Sequence, residues 1–139
     1  MKRFGIISLL VLAGFCTAGI AQAQTREVRA KVPFDFVVAG KTLPAGDYRL
    51  YAQPAGTILI RNTDQGDAIY SMTRPGEIVP GQSSVLVFYK YGDSYFLREI
   101  HCTNISVNAN FPESKQEKQI HDHVAWLGPD TVLLALNGN

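Results

Sequence analysis

Ser84-Val85-Leu86-Val87-Phe88-Tyr89-Lys90-Tyr91-Gly92-Asp93-Ser94-Tyr95-Phe96-Leu97-Arg98-Glu99-Ile100-His101-Cys102 reads as two strands joined by a two-residue turn. Glycine in the first position of such a loop fits a type II′ turn, whose twist matches that of the strands it joins. Both strands carry apolar residues on each face: Val85, Val87 and Tyr89 against Leu86 and Phe88, then Tyr95 and Leu97 against Phe96 and Ile100. A strand that is apolar on both sides belongs in the middle of a layered β structure rather than at its rim. The hairpin therefore predicts a β fold with its centre at this point.

Toward the N-terminus the pattern thins to one apolar face. Val28, Ala30 and Val32 alternate with Glu27, Arg29 and Lys31, the mark of a half-buried strand with a wet side. Pro33 removes a ladder donor, so this strand lies at an edge or breaks there. Phe34, Phe36 and Val38 point one way; Tyr48, Leu50 and Ala52 form the next inward face, with Arg49 and Tyr51 opposite. Gly40-Lys41 and Pro44-Ala45-Gly46 are turn segments, Gly46 being free to take the positive φ of a tight turn. Pro54-Ala55-Gly56 separates Tyr48–Ala52 from Thr57–Arg61, and Asn62-Thr63-Asp64-Gln65-Gly66 separates that strand from Asp67–Thr73. Loops this short join antiparallel neighbours.

Beyond Asn104 the character changes. Pro112-Glu113-Ser114-Lys115-Gln116-Glu117-Lys118 has proline where a helix begins and glutamate in its first turn, where the macrodipole favours acids. Ile120, Val124 and Leu127 fall on one stripe, which predicts docking on the sheet, and Gly128-Pro129 stops the run. Thr131 to Leu136 is an apolar run that leans to a last strand. With no internal repeat or linker, the reading is a single all-β domain over residues 24–139. It is an antiparallel sandwich or flattened small barrel of about seven or eight strands, with one helix near residues 112–124 packed on it.

Residues 1–23 have the three-part layout of a secretory signal peptide. Lys2 and Arg3 supply the charge, Phe4 to Phe15 the apolar run, and Ala21 and Ala23 the small residues a signal peptidase reads, so the mature chain begins near Gln24. Cys16 follows Phe15 and is not placed for lipidation. The expected destination is the periplasm or the extracellular space. After the leader no apolar stretch approaches the roughly 20 residues of a spanning helix. Removing 23 of 139 residues leaves 116, enough to bury a core, and leaves Cys102 without a partner for an internal disulfide.

The 13 Lys+Arg and 12 Asp+Glu become 11 and 12 once Lys2 and Arg3 are removed, a net of about −1. Both signs are scattered along the chain without a basic run, which argues against a nucleic-acid partner.

Val32-Pro33-Phe34-Asp35-Phe36-Val37-Val38-Ala39-Gly40-Lys41-Thr42-Leu43-Pro44-Ala45-Gly46-Asp47-Tyr48 resembles the opening of a group of uncharacterised secreted proteins common in Acidobacteria. Tyr91-Gly92-Asp93-Ser94-Tyr95-Phe96-Leu97 and Pro112 through Lys118 match later segments of those proteins in order, so the likeness spans roughly residues 28–119. The chain departs from the pattern by continuing from His121 to Asn139. The resemblance implies a secreted, mostly β protein and brings no catalytic residue with it.

Three kinds of chemistry compete for the remaining signals. His101, Cys102, His121 and His123 are metal-ligand types, with Asp122 between the last two. On a helix, however, residues two apart point about 200° from each other, so one helix cannot offer both histidines to an ion. Cys102 with a histidine is the nucleophile-and-base pairing, but a lone strand cysteine usually fills space. Tyr48, Tyr51, Tyr70, Tyr89, Tyr91 and Tyr95 lie on strands, where an amphipathic ring row can line a sugar or apolar groove. Cross-strand tyrosine pairs also serve stability alone. Asn104-Ile105-Ser106 fits the glycosylation pattern, a match short enough to arise by chance. The sequence thus points to a non-enzymatic envelope or extracellular protein without a cofactor, a structural or protein-interaction module. A binder of a small sugar or apolar ligand is the alternative, and a metal-binding protein through His121 and His123 the second. N-terminal sequencing of the exported chain should give Gln24 as the first residue; retention of Met1 on the exported form would refute the leader.

Overall fold

The computed structural model describes residues 27–77, 80–103, 107–124 and 128–137, and every structural statement below concerns these. The cleavage residues Ala21, Ala23 and Gln24, the Asn104-Ile105-Ser106 match and Leu127 lie outside them.

The strands are β1 (Glu27–Val32), β2 (Phe36–Val38), β3 (Lys41–Leu43), β4 (Gly46–Gln53), β5 (Thr57–Asn62), β6 (Ala68–Met72), β7 (Arg74–Pro75), β8 (Val85–Tyr91), β9 (Ser94–Cys102), β10 (Val107–Asn110) and β11 (Asp130–Ala135). A single helix, α1 (Lys115–His123), precedes β11. Two sheets face each other: a four-stranded one in the order β1-β4-β5-β6, and a larger one in the order β11-β8-β9-β10-β7 with β2 on β9 and β3 on β2. Pairing is antiparallel apart from one parallel contact, Val37 with Phe96. The architecture is a two-sheet sandwich and not a closed barrel. The strand count exceeds seven or eight because the chain folds back at Ala39-Gly40 to separate β2 from β3. Both turn residues have positive φ, 49° and 78°, as a two-residue type I′ hairpin requires. The short strands β7 and β10, with weak sequence signals, add the rest.

The alternation read from sequence is realised in β1, β4 and β5, whose inward residues Val28, Ala30, Val32, Tyr48, Leu50, Ile58 and Ile60 are all buried. β1 ends before Pro33 and lies at the edge of its sheet. Gly92 takes φ 59° in the β8–β9 turn. Gly46 behaves differently from expectation: it opens β4 without a positive φ. A Cβ there would stand 3.2 Å from the Asn62 side-chain nitrogen, so close approach rather than backbone freedom fixes the residue.

The central hairpin contains a β-bulge. Phe88 pairs with Leu97 and Val87 with Glu99, leaving Arg98 unopposed. The extra residue reverses the facing of everything after it. Ile100 therefore joins Leu97 and Cys102 in the main core instead of lying on the Phe96 side as strict alternation predicts. At the same place β9 exchanges partners along one edge: β2 meets it at Phe96 and β10 pairs with Glu99–Cys102. The Arg98 carbonyl accepts the Phe111 N–H at 2.7 Å, which anchors the chain as it leaves β10.

Between the sheets an aromatic group dominates. Phe88 is 0% exposed and meets Phe34 and Phe36 edge-on at 5.2 and 5.4 Å between centroids, while Phe36 meets Tyr48 at 5.2 Å. Edge-to-face rings at this spacing are favourable beyond their burial. A second, smaller core lies on the outer face of the larger sheet, where Ile120 and Val124 at the end of α1 cover Val37, Tyr91 and Phe96.

The helix is shorter than the 112–124 span. Ser114 caps it, its Oγ accepting the Glu117 N–H at 3.1 Å, and Pro112 stays outside. Serine relieves an unpaired helix N–H, which proline cannot do. The Val124 N–H closes the other end onto the carbonyls of Ile120 and His121, well before Gly128-Pro129. Just past the last strand the chain bridges the layers, since Arg29 and Asn137 exchange backbone hydrogen bonds of 3.2 and 3.0 Å.

Phe88→Ala should cost about 3–5 kcal/mol in urea unfolding of residues 24–139, the usual penalty for emptying an aromatic core site. A loss below about 1 kcal/mol would place the core elsewhere.

Candidate functional site

The residues singled out from sequence are dispersed by the fold. Tyr48 is buried in the main core and donates its hydroxyl to the Pro44 carbonyl; burial raises its pKa. Tyr95 stacks on Phe34 at 3.8 Å between centroids. Tyr89 and Tyr91 belong to the core beneath α1, and burial followed by the nearby Glu117 carboxyl raises the Tyr91 pKa. Tyr70, 67% exposed, lies on the outer face of the four-stranded sheet. The five tyrosines Tyr48, Tyr70, Tyr89, Tyr91 and Tyr95 thus divide between the main core, the core beneath α1 and the outer face of the four-stranded sheet, and form no single row.

The metal-ligand types are likewise apart. Cys102 is buried in the main core, while His101 faces outward between Glu99 Oε2 at 2.7 Å and Asn108 Oδ1 at 3.2 Å. His121 pairs with Glu113 at 3.3 Å on α1, with its ring 6.0 Å from that of Tyr91, and His123 is exposed at the helix end. Among the described residues, no three His, Cys, Asp or Glu side chains converge as a metal centre would need.

The buried side of the helix carries one carboxylate. Glu117 is 2% exposed; its Oε2 accepts from Arg98 at 3.1 Å, and its Oε1 has no hydrogen-bond partner among the described residues. Arg98 also lies over the Tyr89 ring at 5.3 Å. Ser114 and Glu117 have the spacing of a capping box, but the glutamate turns inward to the arginine instead of back to the cap. Desolvation raises the Glu117 pKa, and Arg98 opposes it only in part. This junction holds α1 to the sheet.

The open face of the four-stranded sheet is different in kind. Arg29 is directly opposite Arg49 and Arg49 directly opposite Arg61, so three guanidinium side chains stand side by side across β1, β4 and β5. Residues opposed in this way have Cβ atoms about 4.5–5.5 Å apart, and like charges so placed are destabilising. Glu27 offsets part of this by meeting both Arg29, at 3.1 Å, and Arg49, at 3.6 Å. Arg61 has no ion pair among the described residues. Lys31 opposite Asp47 borders the row on one side, and Glu27, Tyr51, Leu59 and Tyr70 form the next row on the other. Two depressions flank Arg49. One, of about 470 Å³, is bounded by Arg29, Lys31, Asp47, Arg49, Thr63 and Asn137. The other, of about 270 Å³, is bounded by Arg49, Tyr51, Arg61, Asn62, Thr63 and Gly66. Asp64 and Asp67, in the turn beyond β5, line neither.

Buried Asn62 shapes the second depression. Its Oδ1 accepts the N–H groups of Asp64 and Gln65 at 2.8 and 2.9 Å and fixes the turn that carries Thr63 and Gly66. Reading the sequence linearly left this site unseen, because the three arginines are 20 and 12 positions apart. The usable signal was that Arg29, Arg49 and Arg61 all fall at outward positions of successive strands. Compared with protein-family models, curated proteins and solved structures, the chain matches none.

Because burial raises the Glu117 pKa, the folded state holds that proton to higher pH than the unfolded chain does. Its contribution to stability is complete below the ordinary carboxylate value and falls as pH rises through the raised one. Glu117→Gln should therefore gain melting temperature relative to the parent chain between about pH 4 and pH 7. Arg98→Ala should lose ground over the same interval, since the charged carboxylate then has no partner. A pH-independent difference for both variants would refute the assignment.

Proposed function

We propose that the chain is an exported, non-enzymatic binding module of the envelope or extracellular space that engages an anionic partner through the open face of its four-stranded sheet. The observation that carries this is the Arg29–Arg49–Arg61 row. Three cations in direct opposition cost stability, and surfaces that serve solubility alone intersperse the two signs. A row kept at such a cost is explained by an anion that completes it. Arginine suits the task because its planar fork donates two parallel hydrogen bonds to a carboxylate or phosphate. The leader over residues 1–23 and the resemblance to secreted Acidobacteria proteins support the setting outside the cytoplasm.

A second reading is the structural or protein-interaction module. It draws on β6, the last strand of the four-stranded sheet, where Tyr70 and Met72 are 67% and 76% exposed. An edge strand of this kind can accept a strand from a partner. Self-association of the mature chain in sedimentation, lost in Met72→Lys, would favour that reading over the anionic one.

Thermal-shift screening of the mature chain against neutral saccharides, lipids, divalent metals and soluble polyanions discriminates between these readings. Melting temperature should rise with polyanions only, by mass action, and the rise should vanish in about 1 M salt. The triple variant Arg29→Thr, Arg49→Thr, Arg61→Thr should show no rise. A shift with a metal or a lipid that survives in the triple variant would overturn the proposal.

A further inference from the structure

We infer that the arginine row is the binding track for a carboxylated polysaccharide lying across the strands, with Tyr51 the platform for one sugar ring. The inference rests on the reading of this face as the working surface and adds the chemistry of what it holds.

The track has a direction. Strands lie about 4.8 Å apart, so the guanidiniums recur at about that step along a line perpendicular to the strands. The two depressions continue the same line, from Asn137 and Arg29 past Arg49 to Arg61 and Gly66. A single small anion would occupy one or two of these arginines and leave the remaining repulsion in place. An extended acidic polymer lying across the strands brings several carboxylates to the row at once.

Tyr51 separates this polymer from other polyanions. Its side chain walls the depression of about 270 Å³ together with Arg49 and Arg61, so a ring seated there meets an aromatic surface and two guanidiniums at once. The apolar face of a pyranose packs on such a ring while its carboxylate turns to the arginine forks. Thr63 borders both depressions, and its hydroxyl, donating to the Asp47 carbonyl at 2.9 Å, keeps acceptor capacity for a sugar hydroxyl. Gly66 has open space where a Cβ would stand, which leaves the end of the track clear.

Nucleic acid fits the same face poorly. Nucleic-acid binding rests on a concentration of positive charge facing the phosphates, and this face is not uniformly basic. Glu27 and Asp47, both on this face, would oppose the phosphates. Lys31, Arg29, Arg49 and Arg61 against Glu27 and Asp47 suit a ligand of moderate charge density.

The test is equilibrium binding of the mature chain to immobilised polygalacturonate, to its methyl ester and to single-stranded DNA, in parent chain and variants. Polygalacturonate should bind, with the ester and the DNA weaker by about tenfold or more. Arg61→Ala and Tyr51→Ala should each weaken polygalacturonate by about tenfold, and Arg61→Lys should fall between, keeping charge without the fork. Arg74→Ala, away from the row, should bind as the parent does, and circular dichroism confirms that each variant is folded. DNA binding as tight as polygalacturonate, or an unaffected Tyr51→Ala, would overturn the polysaccharide inference while leaving an anion-binding face. Binding that survives Arg49→Ala and Arg61→Ala together, or no binding to any polyanion, would overturn both.

Discussion

One unopposed residue, Arg98, organises the larger sheet. A strand of strict alternation from Ser94 to Cys102 would place Ile100 on the opposite face from Leu97. The bulge instead turns Leu97, Ile100 and Cys102 into the same core. It also divides the edge of β9 between β2 and β10, and its carbonyl receives Phe111. Its side chain reaches the buried Glu117 and so fixes where α1 lies. Sheet pairing, core composition and helix position are therefore coupled at a single position.

The Arg98–Glu117 contact is a means of placement more than a source of stability. Removing a carboxylate from water costs several kcal/mol, and a single guanidinium that leaves one oxygen unpaired returns only part of it. What the pair supplies is direction: Glu117 is the one buried residue of α1, and it can be satisfied in one orientation of the helix. Ile120 and Val124 then fall on Val37, Tyr91 and Phe96.

Period-two patterning made the sandwich legible, because alternating apolar residues state which face of each strand is buried. The turns at Gly92-Asp93 and Asn62–Gly66 made neighbours legible in the same way. The bulge was not, since Leu97-Arg98-Glu99-Ile100 has no residue type that marks an extra position. The helix start was displaced because proline and serine both announce an N-terminus and only the cap geometry decides between them. The site was hidden for another reason: charge read along a chain averages over distance, whereas a sheet converts sequence separations of 20 and 12 residues into neighbours. Prolonging the alternation by one step, to ask which residues share the wet face, would have grouped Arg29, Arg49 and Arg61.

The location of that wet face follows from the hairpin with which the fold begins. Apolar residues on both sides of β8 and β9 oblige the larger sheet to be covered twice, by the opposing sheet and by α1. Its outer surface is then occupied by helix packing, the Arg98–Glu117 pair and the Glu99–His101–Asn108 contacts. The outer face of the four-stranded sheet mixes charged side chains with Tyr51, Leu59, Tyr70 and Met72, and no element of the described residues packs over it as α1 does over the larger sheet. The side chains on that face are free of such packing and can be chosen for a partner. Concentrating like charge there costs stability but disturbs no core, because the inward residues of the same strands hold the layers together regardless. A sandwich with one doubly buried sheet thus leaves its other sheet as the place where recognition is least expensive to build.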